Sequence, residues 1–194
     1  MLPTLLRGES MGDKILVKKN VLLLCRTGML SALALVLSVF EGMLPDLPFV
    51  LPGMKLGLSN LAVMFSLELC TLPCALAVVV IKALFALFTR GVTAFLMSLC
   101  GGLLATFGMY LMIKQRRVCF GCFGVGVGGA FLHNCGQLLV ALLLVSDAIY
   151  AYIPVLAAGA LLTGSLTALV YYFVMPHLKR VPLMGDSARD LQNY

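Results

Sequence analysis

Long apolar runs, separated by short charged or proline-rich segments, occupy most of this 194-residue chain. Hydrophobic residues make up 61% of the sequence and charged residues only 11%, whereas about a quarter of a typical soluble domain is charged. Water could not solvate a folded surface with so few charges, but lipid can. Since a transmembrane helix needs about 20 mostly apolar residues, we predict an all-α integral membrane protein with six transmembrane helices.

Breaks in the apolar runs set the predicted helix boundaries. The predicted helices cover residues 27–44, 54–70, 73–89, 93–113, 118–145 and 149–175. Residues 45–53 contain three prolines and a glycine, which excludes regular helix, so an apolar loop that dips into the membrane is expected between helices 1 and 2. Residues 1–26 are then a basic cytoplasmic leader, residues 27–175 the membrane domain and residues 176–194 a cytoplasmic tail.

The distribution of basic residues predicts the orientation of the helices. If the N-terminus is inside, eleven of the fourteen Lys and Arg residues lie in the leader, the middle inside loop or the tail. Basic residues concentrate in the cytoplasmic loops of membrane proteins. We therefore expect both termini in the cytoplasm, in a multi-pass protein of the cytoplasmic membrane, and the same pattern argues against nucleic-acid binding.

Polar residues within the predicted spans indicate a site, because ionisable groups in a membrane usually face a cavity or a partner. In the predicted topology they fall mostly in the outer half of the membrane. The candidate solute-binding residues are Glu41, Lys55, Asn60, Lys82, Arg90, His133, Asn134 and Gln137. Three of them are basic, which favours an anionic or strongly polar solute. The alternative is structural, with these groups pairing between helices, for example Glu41 with Lys82 or Arg90.

Other motifs argue against catalysis by the chain alone. There is no Walker sequence for ATP and no Asp-rich cluster that would hold magnesium against a diphosphate. The pattern G-x-G-x-x-G at residues 124–129 lies in an apolar helix without a preceding strand, so we instead interpret Gly124 and Gly128, four residues apart, as a close helix-packing surface. The seven cysteines lack the spacing of a complete metal site or a disulfide framework. We expect neither an enzyme nor a cofactor or metal site.

Three segments carry a resemblance to a known family. They read LALVLSVFE at residues 33–41, LPFVLPGMKLGLSN at residues 47–60 and GAFLHNCGQ at residues 129–137. Together, over roughly residues 28–174, the chain resembles the Gx transporter family, which also carries the label heptaprenyl diphosphate synthase component I. Members of that family are similar to the substrate-binding S components of energy-coupling-factor transporters.

The resemblance implies two alternative functions. As an S-component-like subunit, the chain would bind a small solute near the outer face and associate with a coupling membrane protein and two ATPases. As component I, it would be an accessory membrane subunit of a prenyl diphosphate synthase that makes menaquinone side chains. The lack of paired aspartates fits the first function better, because prenyl transfer needs them to hold magnesium.

Overall fold

The computed structural model describes residues 11–43, 57–115, 121–144 and 153–180, and the regular structure within those ranges is all α-helical. The six helices are α1 Met11–Met43, α2 Asn60–Leu69, α3 Leu72–Arg90, α4 Val92–Lys114, α5 Cys122–Leu144 and α6 Ile153–Leu178. The predicted proline-rich loop at residues 45–53 lies outside the described residues, as does the tail beyond residue 180.

Five helices have the length and apolarity needed to cross a membrane. They are α3, α4, α5, the Lys19–Met43 part of α1 and the Ala157–Leu178 part of α6. Each presents large apolar side chains outward, and Phe88, Leu143 and Leu162 are more than 70% exposed. Such a surface is stable in lipid rather than in water, which supports the prediction of a helical, multi-pass membrane protein.

Helix α2 differs from its predicted form. It begins at Asn60 rather than Met54, and its ten residues span only about 15 Å, roughly half of a hydrocarbon core. Gly57 has φ +92°, a left-handed conformation that glycine adopts without steric cost and that a continuous helix does not permit. The predicted start of helix 2 was therefore wrong, and Ser59 and Asn60 lie at its N-terminus rather than one turn inside.

Helix α1 is longer than predicted at its N-terminal end. It begins at Met11, not Thr27, so more than half of the predicted polar leader is helical. No glycine or proline interrupts residues 13–27, and the helix therefore continues through the basic segment.

Close packing between helices depends on glycine. A Cβ on Gly136 of α5 would lie 2.6 Å from the Gly101 Cα atom of α4, and a Cβ on Gly126 would lie 2.8 Å from the Gly164 carbonyl oxygen of α6. The prediction of helix-packing glycines in α5 thus fits, although Gly126 rather than Gly124 provides the contact with α6. The small residues of α1 differ in burial. Ala34 and Ser38 are buried, whereas a Cβ added to Gly28 would have no neighbour within 4 Å.

The connections and contacts between the helices gather specific residues at each end of the bundle. At one end, Gly91 alone connects α3 to α4, and we call this the Gly91 end. At the opposite end, Lys179 Nζ, just after α6, lies 2.9 Å from Glu68 Oε1 near the end of α2. The candidate site lies in the half of the bundle nearer Gly91.

Candidate functional site

A pocket lies in the half of the bundle nearer Gly91, between the N-terminus of α2 and helices α1, α3, α4 and α5. The space between its lining atoms, counted together with the open solvent that adjoins it, is about 260 Å³. Its lining residues are Ser38, Ser59, Lys82, Arg90, Ala94, Ser98, His133 and Gln137. The lining is thus mostly polar, although the outside of the bundle is apolar.

The sequence of α5 brings His133 and Gln137 to this pocket. The buried residues of α5 recur every three to four positions, from Val125 to Ala141, and form one packed stripe along the helix. His133 and Gln137 are four residues apart within that stripe, and each is 2% exposed. Gly101 of α4 makes room for them, because a Cβ there would lie 2.8 Å from His133 Nδ1.

The buried side chains of His133 and Gln137 are joined by a hydrogen bond. Gln137 Nε2 lies 2.9 Å from His133 Nε2. The amide nitrogen is a donor, so in this arrangement His133 Nε2 is the acceptor. Gln137 Oε1 is buried and has no hydrogen-bond partner among the residues that the structure describes, which leaves an acceptor beside the pocket.

Lys82 is a buried cation in the wall of the pocket. It is 2% exposed, and its Nζ donates to Ser59 Oγ at 3.2 Å and to Asn60 Oδ1 at 3.1 Å. Because Ser59 and Asn60 begin α2, these bonds attach the short helix to α3. The ammonium group also lies within electrostatic range of His133.

Glu41 stabilises the backbone that leads into α2. Its Oε1 accepts hydrogen bonds from the backbone N–H groups of Gly57 and Leu58, each at 2.5 Å. A carboxylate at a helix N-terminus also interacts favourably with the helix dipole. Its other oxygen, Oε2, is buried without a hydrogen-bond partner within the described ranges. The contacts of Glu41 therefore favour the structural alternative for this residue.

Arg90 lies at the mouth of the pocket. It is the last residue of α3, is exposed, and follows Lys82 by eight positions, or roughly 12 Å along the helix. Arg90 is within electrostatic range of Glu41. The two cations of α3 in the lining thus differ in exposure, since Lys82 is buried and Arg90 is exposed.

The predicted site residues divide into three groups. Lys82, Arg90, His133 and Gln137 line the pocket, while Glu41 and Asn60 lie behind it and support the start of α2. Asn134 is buried on α5 but is not a lining residue. Lys55 lies outside the described residues.

Three buried serines line the pocket but were not among the predicted site residues: Ser38, Ser59 and Ser98. Signals for Ser38 and Ser98 were present in the sequence. Ser38 precedes Glu41 by three positions and so lies near it on α1. Ser98 is a polar residue one turn before Gly101, and the small residues of that face allow α4 to approach α5 closely.

The combined charge of the site suits an anion. Its lining includes a lysine and an arginine but no carboxylate, and serine hydroxyls add hydrogen-bond donors. Within the described part of the chain, no group of three or more His, Cys, Asp or Glu side chains converges as metal ligands would. The arrangement can hold an anionic group in a partly buried setting, where electrostatic attraction exceeds that in water.

Comparison with known proteins identifies one family. The family model described as heptaprenyl diphosphate synthase component I matches residues 30–174, which include all six helices from α1 to α6 except the N-terminal part of α1 and the last turn of α6. No curated protein and no solved structure matches the chain significantly. Since the match covers about three quarters of the chain, this all-helical membrane-type protein belongs to the heptaprenyl diphosphate synthase component I family.

Proposed function

We propose that the protein is the solute-binding, S-component-like subunit of a membrane transporter for a small anionic solute. The observation that carries this proposal is the polar pocket inside an otherwise apolar bundle, with Lys82 and Arg90 in its lining. A buried cation such as Lys82 is costly in a membrane protein unless it serves a partner or a pathway. A solute that brings negative charge to this pocket offsets that cost.

The proposed orientation places the pocket toward the outside. The basic residues Lys19, Lys114 and Lys179 lie at or near helix termini away from the Gly91 end, and cytoplasmic segments are enriched in Lys and Arg. With both termini in the cytoplasm, the Gly91 end faces outward, and the pocket meets external solute at Arg90. The exposed cation at the mouth would then attract anions from solution.

Uphill movement of the solute needs a source of energy, which is either an ion gradient or a separate ATPase. The sequence contains no ATP-binding motif of the Walker type. We therefore propose a separate coupling membrane protein with ATPase subunits, as the resemblance to S components implies. The exposed small-residue positions Gly28 and Ala32 of α1 are compatible with close approach of another membrane helix.

The test is whether a bound solute depends on the two pocket cations. Mass spectrometry would compare the small molecules retained by purified wild-type protein with those retained by Lys82→Ala, Arg90→Ala and Lys114→Ala. Lys114 is an exposed basic residue at the opposite end of α4 and serves as the matched control. Arg90→Ala is the more informative variant, because Arg90 is exposed whereas Lys82 also anchors α2.

We expect the solute to be retained by wild type and Lys114→Ala and to be depleted about tenfold or more in Arg90→Ala and Lys82→Ala, as for lost charge-assisted contacts. Cellular uptake of the identified solute should follow the same order. Equal retention by all four proteins would remove the two cations from the binding site and would contradict the proposal.

The second candidate function is an accessory membrane subunit of a heptaprenyl diphosphate synthase, and the name of the matched family favours it. Affinity purification distinguishes the two functions. Recovery of ATPases with a coupling membrane protein supports transport. Recovery of a soluble Asp-rich synthase, whose prenyl transfer falls when this chain is deleted, supports the accessory role.

A further inference from the structure

We propose that the solute of the pocket carries two recognition groups, an oxyanion for the α3 cations and an N–H or O–H donor for Gln137 Oε1. This inference rests on the proposed solute-binding function and specifies its substrate class. Small hydroxy acids, amino acids and hydroxyalkyl phosphates have this combination. Simple carboxylates and phosphates without a donor do not.

The oxyanion part follows from the charges and donors of the lining. Lys82 and Arg90 contribute two positive charges, and no carboxylate lines the same space. Ser59 Oγ accepts from Lys82, so its own O–H hydrogen is directed to another acceptor. Carboxylate and phosphate oxygens accept bonds from hydroxyl, ammonium and guanidinium groups together.

The donor part follows from a buried acceptor at the pocket that has no partner within the described ranges. Gln137 lines the pocket, is 2% exposed, and uses its amide nitrogen on His133. Its Oε1 has no hydrogen-bond partner among the described residues. Buried polar atoms are nearly always hydrogen-bonded, so a donor from outside the described chain is expected there, and a solute in the pocket is placed to supply it.

The size of the pocket limits the rest of the solute. The space of about 260 Å³ between the lining atoms also counts adjoining open solvent, so the enclosed part that a solute can occupy is smaller. Arg90 of α3 and Gln137 of α5 line the same pocket, so a short molecule can contact both. The solute is therefore small and bifunctional.

The experiment uses matched probes on the full-length protein in nanodiscs. One set is lactate, propionate and lactamide, which provide both groups, the anion alone and the donor alone. The second set, glycerol 1-phosphate, propyl phosphate and glycerol, repeats the comparison with a phosphate. Affinities come from calorimetric titration of wild type, Gln137→Leu, Gln137→Glu and the control Gln115→Leu, which changes an exposed glutamine just after α4.

We expect the bifunctional probe of at least one set to bind wild type and Gln115→Leu about fivefold to tenfold more tightly than its partner without the donor, as for one hydrogen bond. In Gln137→Leu that ratio should fall to near one. Gln137→Glu retains an acceptor but adds a negative charge, so it should weaken both anionic probes while preserving their ratio. The ratio distinguishes direct recognition from a purely structural role of Gln137.

Three outcomes would overturn the inference: a wild-type ratio near one in both sets, as when water satisfies Gln137; a ratio unchanged in Gln137→Leu; or no binding by any probe. The proposed function is tested separately, by the solute that co-purifies with the protein. A co-purified anionic solute that depends on Arg90 but lacks an N–H or O–H donor would refute this inference alone. Absence of both a co-purified solute and probe binding would refute both.

Discussion

Replacement of Glu41 should destabilise the start of α2 more than any change of a surface carboxylate. Glu41 is 7% exposed, and its Oε1 accepts from two backbone N–H groups, those of Gly57 and Leu58. A hydrogen bond to a charged group contributes about 1.5–3 kcal/mol. Two such bonds place the cost of Glu41→Ala at about 3 kcal/mol or more, because both N–H groups lose their acceptor.

The variant Glu41→Gln separates charge from hydrogen bonding. The amide oxygen can still accept the two bonds, but bonds to a neutral group are about half as strong as charge-assisted ones. We therefore expect a cost of about 1.5 kcal/mol. The control is Glu68→Gln, since Glu68 is a part-exposed carboxylate that pairs with Lys179 near the opposite end, and such surface pairs contribute about 0–1 kcal/mol.

A thiol-reactive fluorescent dye can follow the unfolding, since the chain has no tryptophan but has buried cysteines, Cys70 and Cys74, that become accessible when the bundle opens. Melting in detergent should give the order Glu41→Ala below Glu41→Gln, with Glu68→Gln close to wild type. If Glu41→Ala and Glu68→Gln have the same melting temperature, the Glu41 carboxylate does not stabilise the start of α2 and the prediction is refuted.

Three further predictions concern packing, thiol reactivity and orientation. Gly136→Ala should lower the melting temperature, because its Cβ would lie 2.6 Å from the Gly101 Cα atom, whereas Gly28→Ala, with no neighbour within 4 Å, should not; equal melting would contradict the glycine contact. Burial, with a smaller effect of Cys74, raises the pKa of Cys70 to about 11, so the protonated thiol persists at pH 8. A variant that retains only Cys70 should react with maleimide about a hundredfold more slowly than a thiol of pKa 9.0, and similar rates in the folded protein and in SDS would contradict this. A reporter fused to the C-terminus should show cytoplasmic activity, and an external signal would reverse the proposed orientation.

Much of the helical architecture was predictable because it depends on local composition. The apolar runs predict helices over α3 and α4 to within one residue at each end, since the charged and glycine-containing boundaries are explicit in the sequence. The start of α2 was not predictable in this way. Residues 54–59 are apolar enough for a helix, but tertiary contacts from Glu41 and Lys82 stabilise a non-helical Gly57 and a later helix start.

The candidate site shows the same division. His133 and Gln137 could be assigned to one helix face from their spacing, and the basic residues of α3 could be identified because charge is rare in an apolar helix. Their joint presence in one pocket depends on how α3 and α5 pack around α4. The assignment of Glu41 and Asn60 to a supporting role, and the recruitment of Ser38 and Ser98, depend on contacts between residues far apart in the chain.

The sequence by itself determined that this chain is helical and membrane-embedded. Its low charge content and long apolar runs give a surface that lipid can solvate and water cannot. It also identified most of the unusual polar residues, since each is conspicuous in its apolar segment. Only the tertiary structure decided which of them share a pocket. Side-chain direction and helix approach determine that grouping, and they depend on steric contacts, such as Gly101 against His133, that no local pattern specifies.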